Sequence, residues 1–212
     1  MKRACLITVL AACALTKRST PVQIHYYAVE TSHVATPMET IGKCDHRMRI
    51  GSIEPDSHLR ERIAYRVAGS ELALYDTRKW TDVPDTYVRR ALEYALFERR
   101  TFRQAIAGAV PTLDVDLTAF EEVRSPLGGR VQLRYRLHDD TAVFASDSIT
   151  VVRAATTTDF RGVVAALGSA LDEAANQLAD QIVATCQRSA SGSRPGITVG
   201  SVSGSTGSPG TR

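Results

Sequence analysis

The sequence predicts an α/β fold: a mainly antiparallel sheet packed by two main helices, one of them a long C-terminal helix. Three observations predict it. Residues 130–137 alternate apolar and charged positions and run through a turn into residues 142–153, which is the pattern of an antiparallel meander. Residues 82–99 carry a helix start followed by an apolar stripe. From residue 159 to 186, Phe160, Val164, Leu167, Leu171, Ala174, Leu178 and Ile182 recur at helical steps, so one face of a long helix packs on the sheet.

The elements follow in order. Tyr26 and Tyr27 open a short strand, and residues 33–45 read as a loop rich in turn formers. Residues 47–53 alternate weakly, whereas 61–67 alternate cleanly, with Ile63, Tyr65 and Val67 on one side. Residues 72–75 give a third strand. Asp82 is then placed to cap a helix, with Pro84 in its first turn and Arg99 and Arg100 in its last. Residues 101–106 read as a strand. In 112–120, Leu113, Val115, Leu117 and Ala119 share one face, with Asp114, Asp116 and Thr118 opposite. Gly128-Gly129 is expected to turn the chain into the strand at 130–137. Residues 187–212, rich in Ser and Gly, are expected to be a disordered tail.

The first residues do not read as part of the fold. Lys2 and Arg3 precede an apolar run that ends in Ala11-Ala12, the order of a secretory signal. A membrane-spanning helix needs about 20 apolar residues, and this run is shorter. Leu10-Ala11-Ala12-Cys13 resembles the lipobox of bacterial lipoproteins, which implies that 1–12 is removed and that Cys13 carries the lipid. Acyl chains contribute about 0.8 kcal/mol of membrane affinity per buried methylene. The absence of Asp after Cys13 implies, by the same resemblance, the outer membrane. Residues 13–25 form a tether, and from Cys13 to Tyr26 the chain reaches at most ~45 Å.

Composition narrows the function classes. Of 212 residues, 43% are hydrophobic, enough for one core at 26–186. Without Lys2 and Arg3, 24 basic residues face 23 acidic ones, which argues against nucleic acid. Once Cys5 and Cys13 are set aside, Cys44 and Cys186 remain, a possible disulfide in an oxidising compartment.

Neither G-x-S-x-G, a P-loop, H-E-x-x-H nor C-x-x-C occurs, so neither catalysis nor a cofactor is expected. Asp114 and Asp116 read as the solvated side of a strand rather than an acid–base pair. His138 beside Asp139 and Asp140 reads as a turn rather than a metal site. His25, His33, His46 and His58 have no ligand spacing, so no metal is expected. Arg130, Arg134 and Arg136 form a basic stripe, read either as a charged outer face or as a partner surface. Trp80 reads as core or as an interface anchor.

"YYAVE" after the tether, "RIAYRV" and "LALYDTRKW" before the helix, "LDVDLTAFEEV…GGRVQLRYRL" and the final helix together resemble the ABC-type transport auxiliary lipoprotein family. That family includes the outer-membrane lipoprotein of the paraquat-inducible (Pqi) MCE transport system. The resemblance implies a layered fold with helices against a central mixed sheet. It implies a non-catalytic, periplasm-facing subunit that docks an MCE-domain tunnel protein during intermembrane lipid transport. A homo-oligomer matching such a tunnel is expected, with Trp80 and the Arg130/Arg134/Arg136 stripe as docking residues. The alternative is an adaptor lipoprotein that assembles or activates another envelope machine.

Overall fold

A computed structural model describes residues 21–30, 47–100 and 102–190. Cys13, Cys44, His33, His46, residues 1–12 and residues 191–212 lie outside the described residues. The elements are β1 (His25–Tyr27), β2 (Arg47–Pro55), β3 (Arg62–Ala68), β4 (Glu71–Trp80), α1 (Pro84–Glu93), β5 (Arg103–Gln104), β6 (Thr112–Arg124), β7 (Leu127–His138), β8 (Val143–Ala154) and α2 (Phe160–Ala190). All eight strands belong to one mixed sheet packed by two helices, as expected.

β6 is its spine. On one side β6 pairs with β7, which pairs with β8; both ladders are antiparallel. On its other side β6 pairs in parallel first with β2 and then with β3. β3 forms an antiparallel pair with β4, and β1 lies parallel on β4. The short β5 completes the sheet beside β2.

Both helices cover one face of this sheet. The apolar stripe of α2, from Val164 to Ile182, is buried throughout. Its 31 residues span ~46 Å. The helix begins at Asp159, whose carboxylate accepts from the Gly162 N–H at 3.1 Å. Against β7 the approach is close: a Cβ on Gly129 would lie 2.6 Å from the Leu167 backbone nitrogen. Both glycines belong inside β7: a larger residue at Gly129 would push α2 off the sheet, and a Cβ on Gly128 would lie 2.1 Å from the Arg153 carbonyl oxygen of β8. The expected Gly-Gly turn is instead made by Ser125-Pro126.

Three further expectations shift. Asp82 is not the helix cap: Val83 occupies that position with no side-chain cap, and Asp82 accepts from Arg90 at 2.9 Å. The helix continues past Glu93 as a π-helical turn over Tyr94–Glu98. The strand expected at 101–106 shrinks to Arg103–Gln104.

The largest departure is in β6, which runs on to Arg124 with a bulge between Leu117 and Ala119. The extra residue, Thr118, reverses the alternation. Beyond it Phe120, not Ala119, enters the helix-covered core, packing edge-on to Trp80 at 5.3 Å and stacked on Tyr87 at 6.3 Å. Trp80 is only 2% exposed. Its aromatic body supplies core area, which corrects its assignment as a docking anchor. Among the described residues its Nε1–H has no hydrogen-bond partner.

The same reversal puts Glu121 on the open face, fully buried. Arg66 donates to it from Nε at 2.7 Å and from Nη2 at 3.0 Å, and Arg130 donates at 3.1 Å. Removing one side of a buried, multiply bonded pair costs about 3–5 kcal/mol. Glu121→Ala should therefore lower the unfolding free energy by about 3 kcal/mol in urea denaturation. A loss below about 1 kcal/mol is what an exposed surface pair would give.

Candidate functional site

The open face of the sheet carries every charged residue singled out in 112–138. β6 and β7 set them directly opposite one another: Asp114 against Arg136, Asp116 against Arg134 and Glu121 against Arg130. The basic stripe therefore faces an acidic one across the ladder. Cross-strand pairs of opposite charge contribute roughly 0.2–1 kcal/mol each. Arg130 is committed to Glu121, and its Nη2 also donates to Gln132 at 2.6 Å. Arg136 stands 3.9 Å from Asp114 with its side chain 60% exposed. Arg134 is exposed. The part of the stripe accessible to a partner is Arg134 and Arg136.

At the lower end of this face Asp114 organises a polar cluster. One carboxylate oxygen accepts from the Ser52 backbone N–H at 2.9 Å and from its hydroxyl at 3.2 Å. This satisfies a donor that the β2 bulge between Ile50 and Ile53 takes out of the ladder. Gly51 makes room for it, since a Cβ there would sit 2.3 Å from Asp114 Oδ1. The other oxygen meets His138 Nε2 at 2.9 Å, while His138 Nδ1 meets the Asp139 carbonyl at 3.1 Å. Both neighbours are acceptors, so the arrangement favours the protonated imidazole, in which both ring nitrogens donate.

The hydrogen bond to Asp114 raises the His138 pKa above 6.5, and the one to the Asp139 carbonyl adds to it. Burial pushes the Asp114 carboxyl up, but the bonds from His138 and Ser52 outweigh it and hold it below 3.8. Asp139 is also lowered, by the Thr141 N–H and hydroxyl that its carboxylate accepts in the turn.

Ser52, Asp114 and His138 do not form a nucleophile relay. The hydroxyl and the imidazole both donate to the same carboxylate, so His138 does not stand between Ser52 and Asp114 as a relay requires. Among the described residues no group of three His, Cys, Asp or Glu side chains could hold a metal ion.

A second polar and aromatic cluster, absent from the sequence expectations, closes the far end. Glu122 accepts from the Tyr75 hydroxyl at 2.7 Å. Burial raises the Tyr75 pKa, and the Glu122 bond adds to the shift. Arg78 lies over the rings of Tyr75 at 4.4 Å and Phe160 at 4.1 Å, and Arg124 lies over Tyr65 at 4.0 Å. Tyr27 packs on Phe160 at 4.7 Å, so β1, β4 and the start of α2 share one aromatic seam. Only the adjacent acids of "FEEV" within a strand pattern hinted at this.

Where β2 begins and α2 ends, Met48, Phe102, Leu137, Phe144, Ile182 and Cys186 line an apolar cavity of about 160 Å³ with Arg47 at its margin. Cys186 is disulfide-bonded. Its partner lies outside the described residues, as does Cys44, three positions before Arg47 in the chain.

These features define a class: a layered α/β domain whose open face sets acids opposite arginines across one ladder. A family described as the ABC-type transport auxiliary lipoprotein component matches residues 35–179, and the chain belongs to that family. This places it among lipoproteins associated with ABC transport. A solved protein from Xanthomonas campestris has a similar fold, with a TM-score of 0.66 at 20% identity over 79% of this chain and 99% of that one. A second solved protein gives 0.60 at 11% identity over 76% of this chain and 99% of its own. None of the curated proteins matches. Among the described residues no helix is long and apolar enough to cross a membrane.

The Asp114–His138 pair sets a pH window. The raised His138 contributes stability that is complete below about 6.5 and is lost as pH rises through its folded value. The lowered Asp114 contributes stability present above about 3.8 and lost as pH falls through its folded value. Thermal midpoints should accordingly fall between about pH 5.5 and pH 8.5 by less in His138→Ala than in the parent protein. Equal falls would show that the pair is not coupled to folding.

The cysteines offer a separate measurement. We expect Cys44 to be the partner of Cys186, because Arg47 and Cys186 line the same cavity and three residues reach about 10 Å. Closing that loop contributes up to about 5 kcal/mol in the chain-entropy model. Purified Cys13→Ser protein should yield two additional titratable thiols after reduction, and peptide mapping should join Cys44 to Cys186. A map joining Cys186 to another cysteine would overturn the pairing.

Proposed function

We propose that this protein is a periplasm-facing outer-membrane lipoprotein subunit of an MCE-type ABC transport system, and that its body docks the tunnel protein that carries lipid between membranes. The observation that carries the reading is the family match over residues 35–179. The open face supports it. Glu121 is already engaged by arginines and Asp114 by His138, which suits a rigid binding platform better than a reactive centre. We read the role as binding without catalysis. Cys13 supplies the anchor, and the short tether keeps the body near the membrane that holds it.

The docking surface in this reading centres on Arg134 and Arg136. Exposed arginines flanked by acids suit an acidic or mixed-charge partner surface, and Arg is favoured at interface centres. Trp80 takes no part, being buried.

Affinity capture from solubilised membranes tests the proposal. The lipidated protein should recover an MCE-domain protein, and Arg134→Glu should reduce recovery at least about tenfold, a loss of roughly 1.4 kcal/mol. Deleting the gene should reproduce the membrane-lipid phenotype of deleting the transporter. If no MCE protein is recovered and the phenotypes differ, the docking role is wrong and the adaptor role takes its place.

A further inference from the structure

β8 is the outermost strand on its side of the sheet: among the described residues it pairs only with β7. The opposite side ends in strands of three and two residues, whereas β8 runs for 12. An edge of that length is a template for another strand unless something blocks it. From Ala145 to Ala154 there is no proline, no lysine and no break in the register with β7. Val143, Phe144 and Val152 are exposed along it.

The direction of the free backbone groups follows from the β7 ladder. The Ala155 N–H donates to the Leu127 carbonyl at 2.8 Å, so odd-numbered residues of β8 turn their backbone groups toward β7. Even-numbered residues, Ser146, Ser148, Thr150, Val152 and Ala154, turn theirs outward. One of these donors is locally guarded, since the Ser148 N–H is held by the Asp147 carboxylate at 2.7 Å.

We propose that β8 pairs antiparallel with β8 of a second copy of this chain, about a two-fold axis at Thr150. Charge selects that register. Centring the axis on Thr150 places Asp147 opposite Arg153 of the second copy and Arg153 opposite its Asp147. Centring on residue 147 would oppose two aspartates, and centring on 153 two arginines. The Thr150 axis also sets the buried Ile149 against Val151 of the second copy, so the core row continues across the junction. Thr150 meets its own equivalent, a favourable cross-strand pair. A surface that complements itself in this way closes as a dimer, not as a head-to-tail ring.

Arg153 is prepared for this position by α2. It pairs with Glu173 there, and its side chain stays 49% exposed. Asp147 leaves the Ser148 N–H when the strand of the second copy supplies a carbonyl in its place. The inference goes beyond the docking role and does not depend on it. Anchoring copies to one membrane would raise their effective concentration and favour even a weak pairing.

Sedimentation equilibrium of the full chain carrying Cys13→Ser tests it. The protein should show a monomer–dimer equilibrium in roughly the micromolar range. Asp147→Arg and Arg153→Asp should each weaken dimerisation at least about tenfold, and the double reversal should restore it to within about threefold of the parent. Thr150→Pro removes only an outward N–H, so it should abolish the dimer while the circular dichroism melting midpoint stays near the parent value. A monomer at every concentration up to about 1 mM, or a double reversal no better than the singles, would overturn the proposal. So would a monomer that dimerises only when residues 191–212 are deleted, because the protein's own tail would then be what covers the edge.

Discussion

Glu121 joins three strands that the chain itself joins only at long range. It sits in β6, takes two hydrogen bonds from Arg66 of β3, and takes one from Arg130 of β7. The carboxylate is removed from water, so its stability depends on those donors keeping their geometry. β3 and β6 share only a short parallel ladder at Ala64–Glu121 and Tyr65–Glu122, and the arginine fork reinforces the sheet where that backbone pairing is sparse. Charge-assisted, bidentate geometry is what lets one side chain do this.

Much else follows from the position of that carboxylate. The bulge at Thr118 that carries Glu121 to the open face also sends Phe120 into the core against Trp80 and Tyr87. A strand without the extra residue would place Phe120 in solvent and Glu121 under the helices. Below the bulge, Asp114 and Asp116 oppose Arg136 and Arg134; above it, Glu122 and Tyr75 meet under Arg124. The acids and arginines of the open face continue past the bulge to Glu121 and Arg130, and beside them Tyr75, Tyr65 and Phe160 form the aromatic seam. A platform of ion pairs held across a ladder keeps its shape while its outer arginines remain accessible, which is the property a docking surface needs.

The long helix, the meander and the order of elements were legible in the sequence because each rests on a repeated period. Every apolar residue of the α2 stripe named from sequence joins the core, Phe160 at its edge and the others buried. The bulge was not legible: a single extra residue leaves the local alternation of "LDVDLTAF" intact and is visible only from the partner strand. Ion-pair partners were hidden for the same reason, since Arg66 and Glu121 are 55 positions apart. The basic stripe on β7 was read correctly as one face, but its acidic complement on β6 could be matched to it only once the register was known. Trp80 shows the limit of composition, because a lone tryptophan suits a core as well as an interface and only its neighbours decide.

The central claim is that the open face, through Arg134 and Arg136, receives the tunnel component of a transport assembly. Site-specific photocrosslinking in living cells tests it most directly, with the reactive group placed at Arg134 and, as a control, at Ala165 on the exposed side of α2. The account predicts a crosslink to an MCE-domain protein from position 134 and none from position 165. Crosslinks from position 165 alone, or from position 134 only to a different class of protein, would contradict it.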